Sequence, residues 1–128
     1  RELAILQVGY MTSSPYEFSH HVEIAREFGV TDEDIQAIAT ETKGQVSGLE
    51  PLARAVLLAA REMTDDLTIT DATFDILRQE LDDEGLTDLT LAIGFYNAVV
   101  RVLAALKIEV EPEFLPILEQ FPLPDDTT

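Results

Sequence analysis

Apolar residues recur at helical spacing along most of the chain. Phe18, Val22 and Ala25 lie three or four positions apart, as on one face of a helix that has Ser13 or Ser14 as its N-cap and Pro15 in its first turn. We find no segment of useful length with the alternating period of a β-strand. The pattern predicts an all-α protein with six helices and one helical turn in the tail. The segments are a truncated first helix containing Leu3, Ile5, Leu6 and Val8, a second from Ser14 to Gly29, a third after Thr31, a fourth from Pro51 to about Met63, a fifth from Asp71, a sixth from Thr87 or Asp88, and a turn around Phe114 to Leu118.

Several helix boundaries are marked by residues suited to capping. Thr31 precedes three acids, which favour the positive end of a helix dipole, and Gly29 suits the position just after a helix end. We expect Asp71 to cap the fifth helix and Gly85 to separate it from the sixth.

The sixth helix, "LTLAIGFYNAVVRVLAAL", is apolar nearly all round. Such a helix is expected to be buried on every side, either inside its own bundle or against another subunit. For so short a chain, this favours a homo-oligomer whose interface completes the core over a self-contained monomeric bundle.

The composition fits a single domain over residues 1–128, and the first residue, Arg1, suggests that natural residues precede it. The net charge of −17 argues against a nucleic acid or an anionic membrane as partner. We see no apolar run long enough to span a bilayer and no signal-peptide pattern, so we expect a cytoplasmic protein. The chain has no cysteine, which excludes disulfides, thiolate-bound zinc and thiol-based redox chemistry.

The two histidines, His20 and His21, follow closely behind Glu17. Glu17 and His21 are four positions apart on a helix, hence on one face and within hydrogen-bonding reach. A carboxylate beside an imidazole can hold its tautomer and prepare a proton-transfer pair, although such pairs are also common on solvated helix faces. His20 points about 100° away and is outside the pair.

Metal sites find little support in the sequence. Glu17-x-x-His20 has the spacing of a di-iron ligand pair, but such sites need a second pair and the chain has no third histidine. A mononuclear site from Glu2, Glu17 and His21 is the remaining alternative. Ser14 would need a nearby base to act as a nucleophile, and a role as a helix cap is favoured. We therefore predict no metal and no cofactor.

The order of these residues resembles the carboxymuconolactone decarboxylase and alkylhydroperoxidase D-like family. The resemblance rests on "REL" at the start, on "YEFSHH", which is similar to a Tyr-Glu-Trp-x-x-His variant of the family motif, and on "GVTD" at residues 29–32. His21 falls on the family histidine, while Ser14 and Glu17 stand at the two positions of its cysteine pair. The later "GFYNAVVRVLAALKIEVEPE" is similar to the long interface helix and tail of the same branch.

The resemblance implies a helical fold that assembles as trimers or hexamers, with its site near a subunit interface. The cysteine chemistry of the peroxidase branch is not possible with Ser14 and Glu17 in place of the pair. The decarboxylase branch implies cofactor-free acid–base chemistry on a small lactone or carbonyl acid. In that interpretation His21 is the general acid or base, Glu17 its partner and Glu2 a secondary proton relay. Ser14 and Tyr16 are expected to donate hydrogen bonds to the substrate.

Two other hypotheses stay open at the level of the sequence. One is a non-catalytic oligomeric module that keeps the fold and binds a ligand, and the other, less favoured, is a peroxidase-like activity. A decarboxylase acting on an anion also needs a basic group at its site. The arginines considered for that role are Arg1, Arg26, Arg54 and Arg101.

Overall fold

Seven α-helices and one short 3₁₀ turn form residues 1–124, the part of the chain that the computed structural model describes. No β-strand occurs within that part, so the predicted all-α fold is confirmed. The elements are α1 (Glu2–Met11), α2 (Pro15–Glu27), α3 (Asp32–Thr42), α4 (Pro51–Asp66), α5 (Asp71–Glu80), α6 (Asp83–Ala105), the 3₁₀ turn Pro112–Phe114, and α7 (Leu115–Gln120).

Helix α1 is the central element of the bundle. It contacts α2, α3, α4 and α6, and each of its residues from position 4 to position 10 is buried. A helix buried all round presents successive residues to different neighbours. Ala4 and Val8 pack into the part of the core formed with α4, α5 and α6, whereas Leu6 and Tyr10 pack into the part formed with α2, α3 and α7.

The capping residues explain where several helices begin. The Thr31 hydroxyl accepts a hydrogen bond from the Asp34 backbone N–H at 3.1 Å, and the Asp34 carboxylate accepts from the Thr31 N–H, which forms a complete capping box. Gly29, with φ of 88°, adopts the left-handed conformation expected just after the end of α2. Both predictions are confirmed.

Two predicted boundaries are wrong. Thr70, not Asp71, caps α5, because the Thr70 hydroxyl accepts from the Thr73 N–H. Helix α6 begins at Asp83, a turn before the predicted start, because the Asp82 carboxylate accepts from the Gly85 N–H at 2.8 Å. Gly85 therefore lies inside the first turn of α6 and does not separate two helices. Aspartate is a preferred N-cap residue, and here the bond made by Asp82 starts the helix even though a glycine follows three residues later.

Helix α6 is not buried on every side within its own bundle, which was the less favoured of the two alternatives expected for it. One side packs through Leu89, Ile93 and Val100, while Leu91 and Phe95 on the other side are 65% and 63% exposed. By length and composition alone, α6 could also cross a bilayer, a test that the core helices of water-soluble proteins pass as well. The expectation that no apolar run was long enough is therefore wrong.

The tail returns to pack against α2. Ile117 and Phe121 are buried in the same part of the core as Phe18 and Val22. The helical turn predicted around Phe114 to Leu118 is confirmed as the 3₁₀ turn and α7. The last four residues of the predicted 1–128 domain, 125–128, lie outside the described residues.

Candidate functional site

The candidate site lies between α1 and α2, which are joined by a short turn and pack side by side. Near the turn, Gly9 of α1 meets Glu17 of α2. Farther from the turn, Glu2 meets His21. The two helices therefore run antiparallel, and their facing surfaces bring three residues predicted from the sequence into one region.

His21 is paired with Glu2 rather than with Glu17. Its Nδ1 lies 3.1 Å from Glu2 Oε1, and the side chains of both residues are mostly buried, at 13% and 14% exposure. The predicted hydrogen bond between Glu17 and His21 does not form. Four-residue spacing places two side chains on the same face of a helix, but the neighbouring helix α1 supplies the acceptor that His21 reaches.

Glu17 occupies a space provided by a glycine. A Cβ atom built on Gly9 would lie 1.7 Å from Glu17 Oε2, so any side chain at position 9 would collide with this carboxyl group. Glu17 is 2% exposed, and neither of its carboxyl oxygens has a hydrogen-bond partner among residues 1–124. An ionised carboxylate in such surroundings would lack both water and partners, which is strongly unfavourable.

The protonation of Glu17 follows from this burial. Loss of hydration, reinforced by the negative charge of Glu2, raises the pKa of Glu17 to about 9. At neutral pH Glu17 is therefore a carboxylic acid that carries a proton. The site combines this neutral acid with the adjacent Glu2–His21 pair.

Glu2 and His21 line an open cleft of about 570 Å³. The remaining walls are mainly apolar and come from Ile24, Phe28, Val30 and Tyr96, with Arg1 at the cleft as well. Tyr96 presents its ring edge-on to the His21 imidazole, with ring centroids 4.8 Å apart. Glu17 does not line this cleft and lies buried next to it.

Tyr96 was missed in the sequence analysis. It belongs to α6, far from α2 in sequence, and it stands within an apolar run where a tyrosine is a common core residue. The available signal was its hydroxyl group in an otherwise apolar helix, since a buried tyrosine usually places that group near a polar partner or water.

Ser14 and Tyr16 lie away from this cleft. Ser14 is the N-cap residue of α2, as predicted, but its hydroxyl makes no capping bond, and its backbone N–H donates to Gly9 O at 2.9 Å. Both residues line a separate crevice of about 80 Å³ against Val100 and Ile108. The structure therefore does not bring them together with His21.

His20 connects α2 to the tail. Its ring is stacked between Tyr16 and Phe114, at centroid distances of 4.2 and 3.9 Å, and its Nε2 lies 2.8 Å from Glu111 Oε2. The hydrogen bond with His20 lowers the pKa of the Glu111 carboxyl. His20 is thus a structural contact, separate from the Glu2–His21 pair.

Of the four arginines considered, Arg1 is the one that lines the cleft. Arg26 is bonded to Asp32 and Gln120, while Arg54 and Arg101 line other clefts. Among the described residues, no three histidine, cysteine or acidic side chains are grouped as metal ligands. Glu2, Glu17 and His21 accordingly do not form such a group.

A helical bundle with a histidine–carboxylate pair and a neutral buried acid defines a candidate acid–base site. Residues 1–62, which include all of this site except Tyr96, match the Carboxymuconolactone decarboxylase family. Over this segment, the match confirms the family indicated by the sequence motifs. No curated protein matches the chain.

The close approach at Gly9 generates a prediction with a matched control. We expect Gly9→Ala to destabilise the protein by about 1–3 kcal/mol, because the new methyl group overlaps the Glu17 carboxyl. Gly94→Ala, in α6 with no atom near the added Cβ, should stabilise by about 0.5–1 kcal/mol through helix propensity. Chemical denaturation measures both. In the double variant Gly9→Ala/Glu17→Ala, truncation of the glutamate should restore part of the lost stability. A Gly9→Ala variant more stable than the wild type would contradict the close contact between Gly9 and Glu17.

The raised pKa of Glu17 generates a prediction about pH. Between the ordinary pKa of 4.5 and the folded value of about 9, only the folded protein keeps this proton. Its stability should therefore fall relative to Glu17→Gln as pH rises, by up to about 1.4 kcal/mol per unit. Unfolding free energies measured from pH 5 to 8 test this. Glu23→Gln, an exposed change on the same helix, should run parallel to the wild type. Parallel curves for Glu17→Gln as well would contradict the buried neutral acid.

Proposed function

We propose that this protein is an enzyme that performs cofactor-independent acid–base chemistry on a small lactone or carbonyl acid, with decarboxylation as the favoured reaction. The observation that carries the proposal is the His21–Glu2 pair facing an apolar cleft, with the neutral acid Glu17 buried beside it. The family match over residues 1–62 supports the class of protein, and the reaction and substrate are our inference.

Decarboxylation of such an acid has two requirements. The bond to the carboxylate carbon breaks, carbon dioxide leaves, and the electron pair passes to the adjacent carbonyl system as an enolate. A proton must then be delivered to that carbanion equivalent, and the developing negative charge must be stabilised until it arrives. A protonated imidazole at the cleft meets both requirements.

The geometry suggests roles for Glu2 and Glu17 that differ from those expected from the sequence. Because His21 Nδ1 is bonded to Glu2, Nε2 is the ring nitrogen available to a substrate in the cleft. Glu2 thus takes the orienting role first given to Glu17. Glu17, which holds a proton at neutral pH and is affected by the charge of Glu2, is suited to return a proton to the Glu2–His21 pair after each turnover, and water that enters the adjacent open cleft then supplies the proton that restores Glu17.

The lining of the cleft suggests the class of substrate. Ile24, Phe28 and Val30 suit an apolar carbon skeleton, while the Arg1 side chain offers a counter-charge for a carboxylate. A small organic acid fits this combination better than a peptide or a nucleotide would. No phosphate-binding glycine loop is present in the sequence.

A non-catalytic ligand-binding module is the second candidate. It is favoured by one observation, the complete burial of the Glu17 carboxyl outside the lining of the cleft. In that case the His21–Glu2 pair would bind an anion without transferring a proton. A peroxidase-like activity is less favoured because the chain has no thiol.

We further propose a homo-oligomer, a trimer or hexamer, in which a second copy covers the exposed side of α6. Leu91 and Phe95 line a groove of about 580 Å³ that shares Arg1 and Tyr96 with the His21 cleft. A subunit seated on this groove would also close the cleft to water, which strengthens the electrostatic interactions inside it. The cytoplasmic location stays a prediction from the sequence.

The catalytic proposal is tested by measuring carbon dioxide release from carboxymuconolactone, the compound named in the family description. We expect His21→Ala to reduce kcat about 10²–10⁴-fold, since it removes the proton-transfer group. The adjacent His20→Ala is the control and should retain activity. Glu17→Gln keeps the shape and neutrality of the side chain but cannot give up a proton, so it should also lose activity. A Glu17→Gln variant as active as the wild type would exclude the relay role, and binding without turnover in the wild type would favour the ligand-binding module.

The oligomer is tested with Phe95→Glu. A charge placed at this 63%-exposed position should shift the protein to monomers in light scattering and lower its activity, because a buried interface does not accept an unpaired charge. Glu113→Gln, an exposed change in the 3₁₀ turn, should leave the assembly intact. A wild-type protein that is monomeric at all concentrations would refute this part of the proposal.

A further inference from the structure

A second cleft, of about 240 Å³, lies between α4 and α5 and shares no lining residue with the His21 cleft. Two arginines of α4, Arg54 and Arg61, line it. They are seven positions apart, so they lie on the same face of the helix, about two turns apart. The walls between and opposite them are mainly apolar and come from Pro51, Ala55, Leu58 and Ile76.

Arg54 is held in place through one edge of its guanidinium group. Its Nε donates to Glu41 Oε1 at 2.8 Å, and the same oxygen accepts from the Ser47 hydroxyl at 2.8 Å. Glu41 is buried, and its bonds with Ser47 and Arg54 keep the pKa of its carboxyl below the usual value. Within residues 1–124 the two terminal nitrogens of Arg54 have no acceptor, so they are free to bind a ligand.

Arg61 is held by a buried amide. Its Nη1 donates to Gln7 Oε1 at 2.9 Å, and Gln7 Nε2 donates to the Thr42 hydroxyl at 2.9 Å. Gln7 is completely buried, so this chain of bonds fixes the amide and, through it, the guanidinium. Burial also lowers the pKa of Arg61, although an arginine stays charged at neutral pH. Its Nε and Nη2 donate to no acceptor among residues 1–124 and are free as well.

This arrangement is unusual within a chain of 25 acidic and eight basic residues. Two of the eight cations lie at one small cleft, where Glu41 is the acid of the lining, and the charge of Glu62, which is not among the lining residues, also acts on Arg61. At physiological ionic strength charges are screened over about 8 Å, so the distant acids weaken this local positive charge only partly. Pre-oriented guanidinium groups with free N–H donors are the usual binding groups for carboxylates.

We propose that this cleft binds a small aliphatic carboxylate, with its oxygens on Arg54 and Arg61 and its carbon chain against Leu58 and Ile76. The apolar walls distinguish such a ligand from inorganic phosphate, which has no surface to bury there. The cleft, at about 240 Å³, is of a size suited to a small ligand. The site is independent of the function proposed for the His21 cleft.

The proposal is tested with butyrate as the probe, titrated into the ¹⁵N-labelled full chain and followed by NMR. We expect saturable shifts, in the millimolar range of affinity, at backbone amides around Ala55 and Leu58, and weaker binding as salt is raised. Butyramide, which has the same shape without the charge, should not bind. Equal binding of butyramide or of inorganic phosphate, or butyrate shifts confined to the His21 cleft, would overturn the proposal.

Matched variants identify the residues responsible. Ile76→Asp places a negative charge at the 42%-exposed wall and should weaken butyrate binding roughly tenfold or more, whereas Phe74→Asp, equally exposed on α5 but outside the cleft, should not. Arg61→Gln should abolish binding, and Arg78→Gln, an exposed arginine paired with Asp83, makes the same change in net charge without effect. If Arg61→Gln proves unstable, the comparison of butyrate binding by Ile76→Asp and Phe74→Asp tests the site. Equal binding by those two variants would refute the site.

Discussion

The approach of the Glu17 carboxyl to the backbone of Gly9 is the contact on which the candidate site depends. It exists because residue 9 has no side chain, and a Cβ atom there would overlap Glu17 Oε2 at 1.7 Å. The contact allows α2 to pack closely against α1 while burying a carboxyl group between them. One turn farther along α2, the same close packing brings His21 within 3.1 Å of Glu2. Gly9 thus influences the positions of Glu2 and His21, although it makes no bond to either residue.

Helix α1 distributes polar groups to two sides of the bundle from within the core. Glu2 and Gly9, seven positions apart, share the face that meets α2. Gln7 lies about 200° around the helix from Gly9 and reaches Arg61 and Thr42 instead. A buried polar group is stable where it is bonded, as Gln7 is, whereas Glu17 has no bonding partner among residues 1–124 and avoids the larger cost of a buried charge by keeping its proton. The central helix therefore supports two separate clefts without an unpaired charge in the core.

Local sequence signals predicted the helices and most of their ends, because capping and turn chemistry act over a few residues. Thr31 caps the start of α3, and Gly29 adopts the left-handed conformation just after α2, both as predicted from the residues around them. The partner of His21 could not be predicted in this way, since the spacing of Glu17 and His21 describes one helix and the bond is made to another. Tyr96 was missed for the same reason. The exposed side of α6 could not be predicted either. An apolar pattern indicates that a helix face is buried, but it does not identify whether the same chain or a second copy covers that face.

The position of Glu17 also bears on the acid–base chemistry proposed for the site. By resemblance, Glu17 stands where relatives carry the second cysteine of a redox pair. A cysteine thiol ordinarily has a pKa near 8.5. Burial and the charge of Glu2 raise the pKa of Glu17 to about 9, which is close to the ordinary range of a thiol. Thiol–disulfide chemistry, which needs sulfur, is therefore not available at this position, where a weak acid lies beside the Glu2–His21 pair instead. Acid–base chemistry is what such an exchange preserves.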